Sequence, residues 1–326
     1  MCTAITYKTK DFYFGRTLDY EHSFGEKVVI TPRNFSFDFR SRGVLHRHHA
    51  IIGMARIEDG YPLYFDAANE KGLAMAGLNF VDNAYYPMPA IGRDNIPHYA
   101  FIPWILTQCS SVSEAKCLLR RLSITGDAFS SQLPPAKLHW ILADTDEAIT
   151  IESVKDGLRI YENVVGVLTN NPPFDQQLQN LTHYMQLSAD APENRFAPSI
   201  PLQAYSRGMG AWGLPGDLSS TSRFVRAAFT KLNAVSDAAE EESVSQFFQI
   251  LRTVSQTKGC CRLENGLYEI TQYTSCCNAT RGIYYYTTYS NHRITAVDMQ
   301  KEDLAGNALI SYPLLQLQDI FCQNGC

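Results

Sequence analysis

Cys2 stands directly behind Met1, and two strand-like segments follow it without a spacer. The first six residues after Met1 alternate enough for a strand, residues 8–11 form a polar turn, and residues 12–20 are a second β-branched and aromatic run. A hairpin of this length folds the second run back on the first and brings Arg16 and Asp19 close to the chain start. A small second residue lets methionine aminopeptidase remove Met1, and the cysteine then carries both a thiol and an α-amine. An α-amine ordinarily titrates at roughly 7.7–8.0, so part of it is a free base near neutral pH. The thiolate is the reactive form of cysteine, and an adjacent base or cation makes it available. Cys2 can then supply nucleophile and base together, with Arg16 stabilising the thiolate and Asp19 accepting from the ammonium. The plain alternative is a chain that happens to begin Met-Cys, with Arg16 and Asp19 in a surface ion pair worth little.

Further motifs follow in order. Residues 1–6 and 14–19 are joined by 61–66, 69–73, 76–80, 138–140, 166–172, 214–217, 222–226, 272–275 and 284–289. On these stretches the chain, from residue 2 to about 312, resembles the choloylglycine hydrolase family of N-terminal nucleophile hydrolases. Within that family it is most similar to the bile salt hydrolases, with the penicillin V acylases as neighbours. The resemblance implies roles residue by residue: Cys2 as nucleophile, Arg16 and Asp19 setting its protonation and position, and Asn79 in the oxyanion hole. Asn170 matches the second asparagine of the site and Arg223 the arginine near the nucleophile; Asn171 is a neighbour outside the family position. Penicillin V acylases can carry Tyr at position 79, whereas bile salt hydrolases carry Asn. By family position Leu18, Phe24, Phe65, Phe129, Leu133 and Leu138 line an apolar substrate slot, with ordinary core packing as the competing explanation for each. Phe129 and Leu133 fall in a loop-like stretch at 126–135, where exposed apolar residues favour binding.

The expected substrate is therefore a conjugated bile salt, and the reaction is hydrolysis of its amide to a bile acid plus glycine or taurine. The thiolate attacks the carbonyl, the α-ammonium protonates the leaving amine, and water cleaves the thioester. Donors aimed at the oxyanion are usually the largest catalytic term. Penicillin V acylase and N-acyl homoserine lactone acylase are the rival activities, and a noncatalytic sterol-binding protein is the rival class. A glutamine amidotransferase domain also begins at Cys2 but requires a synthase partner domain for which this chain has no room. No cofactor and no metal are implied.

The resemblance implies a four-layer αββα sandwich, two antiparallel sheets between helical layers, in one domain over residues 1–326; the residue pattern alone gives only α+β. Strands are expected at 3–8, 12–20, 27–40, 50–58, 62–67, 72–80, 138–144, 147–153, 158–162, 267–275, 282–289 and 292–298. Helices are expected at 98–108, 112–122, 175–187, 223–234 and 241–256, with Ser111 or Ser113 capping the second. Residues 188–216 are rich in Pro, Gly and polar residues, and by resemblance form an excursion that helps assemble a homotetramer.

A net charge of −5 argues against a general nucleic-acid surface. No apolar run reaches the roughly 18 residues of a spanning helix, and no basic-then-apolar leader precedes Cys2, so a cytoplasmic protein without a membrane partner is expected. Nine cysteines is an odd number, and the adjacent pairs Cys260-Cys261 and Cys276-Cys277 lack the spacing of a zinc site. Cys109 and Cys117 read as small apolar packers in helices, Cys322 and Cys326 as part of a terminal tail, and residues 46–49 as a solvated turn.

Overall fold

The computed structural model describes residues 1–325; Cys326 lies outside the described residues. The strands in chain order are β1 (Cys2–Lys8), β2 (Phe12–Tyr20), β3 (Lys27–Thr31), β4 (Phe37–Asp38), β5 (Val44–Leu45), β6 (Ile51–Glu58), β7 (Tyr61–Asn69), β8 (Ala74–Asn79), β9 (Asp94–Pro97) and β10 (Leu122–Thr125). They continue with β11 (Leu138–Ala143), β12 (Ala148–Val154), β13 (Gly157–Glu162), β14 (Val167–Leu168), β15 (Ile270–Asn278), β16 (Ile283–Thr288), β17 (Thr295–Asp298) and β18 (Ile310–Pro313). The α-helices are α1 (Phe101–Leu106), α2 (Val112–Leu119), α3 (Phe174–Asn180), α4 (Ser220–Asn233) and α5 (Glu240–Arg252).

Two antiparallel sheets carry the fold. One has the order β14-β1-β2-β15-β16-β17, the other β13-β12-β11-β8-β7-β6-β3-β18. One apolar core joins α4 and α5 to the six-stranded sheet and runs on to the inner face of the eight-stranded sheet, through Ile52, Met54, Ala76 and Leu78. A second core joins the outer face of the eight-stranded sheet to α1 and α2, through Trp104, Ile105, Met75 and Trp140. The result is the α+β sandwich, helices outside and two sheets within. Because both faces of each sheet are covered, central strands such as β1 and β2 are buried on both sides, and adjacent Cys276 and Cys277 are both in the interior.

The expected strand over 27–40 is corrected. β3 ends at Thr31, Pro32 follows, and the Phe35 N–H closes a turn onto the Pro32 carbonyl. The alternation of Phe35, Phe37 and Phe39 is a real burial pattern, but it belongs to a separate two-stranded flap of β4 and β5. There Phe37 stacks on Phe39 with centroids 5.5 Å apart, and Phe39 meets Trp104 edge-on at 4.9 Å. The parallel pair β9–β10 and the edge strand β18 carried no clear alternation in the sequence. Cys109 is buried but lies just past α1, and Cys117 lies in α2 on its exposed side, so only the first is a packer. Ser111 caps α2, accepting from the Glu114 N–H at 3.2 Å.

Gly15 in β2 lets β15 approach: a Cβ there would be 2.1 Å from the Ser275 carbonyl oxygen. Gly15→Ala is expected to destabilise the protein by about 1–3 kcal/mol, the usual cost of overpacking. Urea unfolding checks this, and an unchanged midpoint would contradict the close approach.

Candidate active site

The β1–β2 pairing sets the site. Cys2 lies opposite Leu18 and Ala4 opposite Arg16, so Cys2, Arg16 and Leu18 share the face turned toward the second sheet. Thr3, Thr17 and Asp19 take the other face, toward α4. Cys2 is only 3% exposed, and it lines a cavity of about 260 Å³ between the sheets.

Arg16 is fully buried. Its Nη1 donates to the Gly77 and Phe65 carbonyls of the facing sheet, and its Nε to the Thr17 carbonyl at 3.1 Å. Its Nη2 is buried and has no partner among the described residues. Burial pulls the guanidinium pKa down, but its electrostatic interactions with the surrounding acidic groups outweigh this and raise the value overall. Asp66 is held by Tyr273 at 2.7 Å, Tyr284 at 2.6 Å and Ser275 at 3.0 Å. Arg16 and Cys2 line the same cavity, and a buried guanidinium N–H without a partner suits a thiolate or a developing oxyanion.

The Asp19 carboxylate is turned away from the cavity and accepts from Thr17 at 3.1 Å and Thr271 at 2.7 Å. Its main chain, not its carboxylate, meets the chain terminus: the Asp19 carbonyl accepts from the Met1 ammonium at 2.7 Å, and the Asp19 N–H donates to the Met1 carbonyl at 2.9 Å. The Met1 ammonium also pairs with Glu269, a partner the sequence did not single out. Burial lowers the pKa of this amine below its ordinary value.

Asn170 and Arg223 approach Cys2 from the helix side. The Cys2 N–H donates to Asn170 Oδ1 at 2.8 Å, and Asn170 Nδ2 donates to the Asn79 carbonyl at 2.8 Å. Arg223, in the first turns of α4, donates to the Cys2 carbonyl, to Thr3 Oγ1 at 2.7 Å and to Asn170 Oδ1 at 2.7 Å. Asn79, at the end of β8, uses its main chain for Asn170 and leaves its side-chain amide without a hydrogen bond among the described residues, at the cavity wall. Asn171 points elsewhere, to the Val81 carbonyl. Thr3, Thr271 and Ser220, which accepts from the Asn170 N–H at 2.8 Å, support the site. Strand alternation and a helix start gave no signal for them.

All six expected lining residues, Leu18, Phe24, Phe65, Phe129, Leu133 and Leu138, border the cavity. Tyr99 and Leu63, which the sequence did not single out, also line it. Phe129 is packed between Tyr61 and Tyr99, at 5.8 and 5.2 Å. His98 lines the cavity as a neutral ring, since burial pushes its pKa down to about 4. A separate depression of about 320 Å³ near Lys8, Asp144 and Lys231 is polar and does not reach Cys2. Among the described residues no group of three or more His, Cys, Asp or Glu is arranged to hold a metal ion.

The family model of linear amide C–N hydrolases, choloylglycine hydrolase family, matches residues 2–312. The chain is 54% identical over 314 residues to a bile salt hydrolase/transferase from Lactiplantibacillus plantarum, spanning 96% of this chain and 97% of that protein. It is 40% identical over 318 residues to a bile salt hydrolase/transferase from Clostridium perfringens, with 96% of each covered. The crystal structure of the C2A mutant of conjugated bile acid hydrolase from C. perfringens superposes with a TM-score of 0.92 at 37% identity, over 99% of this chain and 100% of that one. Penicillin V acylase from Agrobacterium tumefaciens shares the fold, with a TM-score of 0.76 at 20% identity over 96% and 91% of the two chains. The chain belongs to the choloylglycine hydrolase family of linear amide C–N hydrolases.

Proposed function

We propose that this protein hydrolyses the amide bond of glycine- or taurine-conjugated bile salts, with Cys2 as nucleophile after Met1 is removed. The observation that carries the reading is that Cys2 lines an apolar slot together with Arg16, whose Nη2 has no partner among the described residues, and Asn79. A rigid apolar steroid fits such a slot, with the scissile amide at the polar end.

In the proposed sequence the Cys2 nitrogen becomes the chain terminus and remains bound to Asn170. As a free amine it takes the thiol proton, and the thiolate attacks the substrate carbonyl. Asn79 and a main-chain N–H receive the oxyanion. The new ammonium gives its proton to the leaving nitrogen as the C–N bond breaks, and water then cleaves the thioester to regenerate the thiol. Arg223 holds both the Cys2 carbonyl and the Asn170 oxygen and so fixes the nucleophile's backbone. Thr17 and Thr271 hold the Asp19 carboxylate in place, whereas its main-chain bonds to Met1 leave with that residue. Hydrolysis of glycocholate and taurocholate, set against phenoxymethylpenicillin, tests the reading: the conjugates are expected to be cleaved faster, and preferential cleavage of the penicillin would overturn it.

The pH profile follows from burial. Desolvation disfavours an ammonium, and it already lowers the pKa of the amine on Met1. Cys2 itself is buried, so the same desolvation is expected to act on its amine once Met1 is gone. The acid limb of kcat/KM is expected below the usual α-amine value of about 7.7–8.0. A limb at or above that value would contradict a buried terminal base.

The same reading takes the chain as one domain in the cytoplasm, where methionine removal occurs; among the described residues no helix is long and apolar enough to cross a membrane. It also takes residues 188–216 as an assembly element of a homotetramer. Phe196, Tyr205 and Trp212 in that segment are 87%, 77% and 72% exposed, more apolar surface than a solvated loop needs. Sedimentation of the intact protein tests the assembly.

A further inference from the structure

His139 on β11 and Glu152 on β12 form a fully buried pair, with His139 Nδ1 and Glu152 Oε1 3.1 Å apart. A buried ion pair is weak evidence for stability, because desolvation offsets most of its attraction. This pair carries a visible cost, since Glu152 Oε2 is buried with no partner among the described residues. Its outward contacts show what it holds. His139 Nε2 donates to the Thr169 carbonyl at 3.0 Å, the peptide that leads into Asn170. Glu152 Oε1 accepts from the Phe174 N–H at 3.0 Å, at the far end of the same loop. The flat face of His139 stacks on Phe80, with centroids 4.2 Å apart and planes 7° from parallel, and Phe80 directly follows Asn79.

We infer that His139 and Glu152 are positioning residues that fix Asn170 and Asn79 against Cys2, by gripping both ends of the 169–174 loop and stacking on Phe80. The proton arrangement makes the grip specific. The Thr169 oxygen can only accept, so Nε2 carries a hydrogen, and a single proton is shared between Nδ1 and Oε1. A carboxylate satisfies Nδ1 and the Phe174 N–H together. A glutamine at 152 does not: if its oxygen takes the Phe174 N–H, Nδ1 must be protonated as well, and the imidazolium loses its counter-charge.

This inference rests on the proposed hydrolysis for its kinetic readout, and a crystal structure supplies a second that does not. Glu152→Gln is expected to lower kcat for glycocholate by about 10–100-fold, with KM within about twofold, as loosening by a fraction of an ångström does. Its crystal structure is expected to show Asn170 Oδ1 moved away from the Cys2 nitrogen. Wild-type kcat per folded molecule, or a 169–174 loop left in place, would overturn the inference. Should Glu152→Gln not fold, Phe80→Leu keeps every polar contact and removes only the stack. It is expected to lower kcat several-fold at constant KM, and an unchanged kcat would overturn the grip on Asn79. A wild-type protein that cleaves no conjugated bile salt would defeat the proposed function and leave the crystallographic result to decide the positioning role.

Discussion

Cys2→Ala is expected to lower amide hydrolysis by about 10⁴-fold or more, the scale on which loss of a covalent nucleophile is felt, while the protein stays folded and still binds the steroid. The fold survives because the change removes one sulfur from the cavity wall and leaves the Cys2 main chain in place. That main chain, not the thiol, carries the contacts to Asn170 and Arg223. Binding survives because the slot is built from Leu18, Phe65, Phe129 and their neighbours on other strands. Turnover measured beside equilibrium binding of glycocholate separates the readings. A noncatalytic sterol-binding protein would show no turnover to lose, and near-normal turnover in the variant would remove Cys2 from the chemistry.

Asn79→Ala is expected to lower kcat by about 10²–10³-fold with a smaller effect on KM, as for loss of one oxyanion donor. The split follows from the geometry. The Asn79 side chain makes no ground-state hydrogen bond among the described residues, so its removal costs the free enzyme little. Its main-chain carbonyl, which receives Asn170, is retained by alanine. What disappears is a donor at the cavity wall beside Cys2, felt most when charge develops on the substrate oxygen. Thermal unfolding beside steady-state kinetics checks both halves. A large loss of stability, or a rise in KM with kcat unchanged, would assign Asn79 to structure or to simple binding instead.

Much of this was legible in the sequence, for reasons that differ by residue. The β1–β2 hairpin follows from two dense β-forming runs around a short polar turn, and its register places Arg16 and Leu18 beside Cys2. The lining residues were legible through family position; alternation alone could not separate them from core, because strands covered on both faces are apolar throughout. Asp19 lies next to the chain start as expected, and with Met1 in place its carboxylate is taken by Thr17 and Thr271 while its main chain meets Met1. The His139–Glu152 pair was invisible in the sequence. Each residue reads as one polar position in an apolar strand, and only the β11–β12 pairing with the 169–174 loop brings them together. The 27–40 segment misled because alternation at Phe35, Phe37 and Phe39 continues past Pro32, where the strand itself ends.

The account turns on a sulfur and its own terminal nitrogen acting together, and one preparation tests it: intact mass and glycocholate hydrolysis measured on the same sample, before and after the terminal amine is acylated. Methionine-free protein is expected to cleave the conjugate, and acylation is expected to abolish that cleavage. Full activity with Met1 still attached, or with the terminal nitrogen blocked, would contradict it.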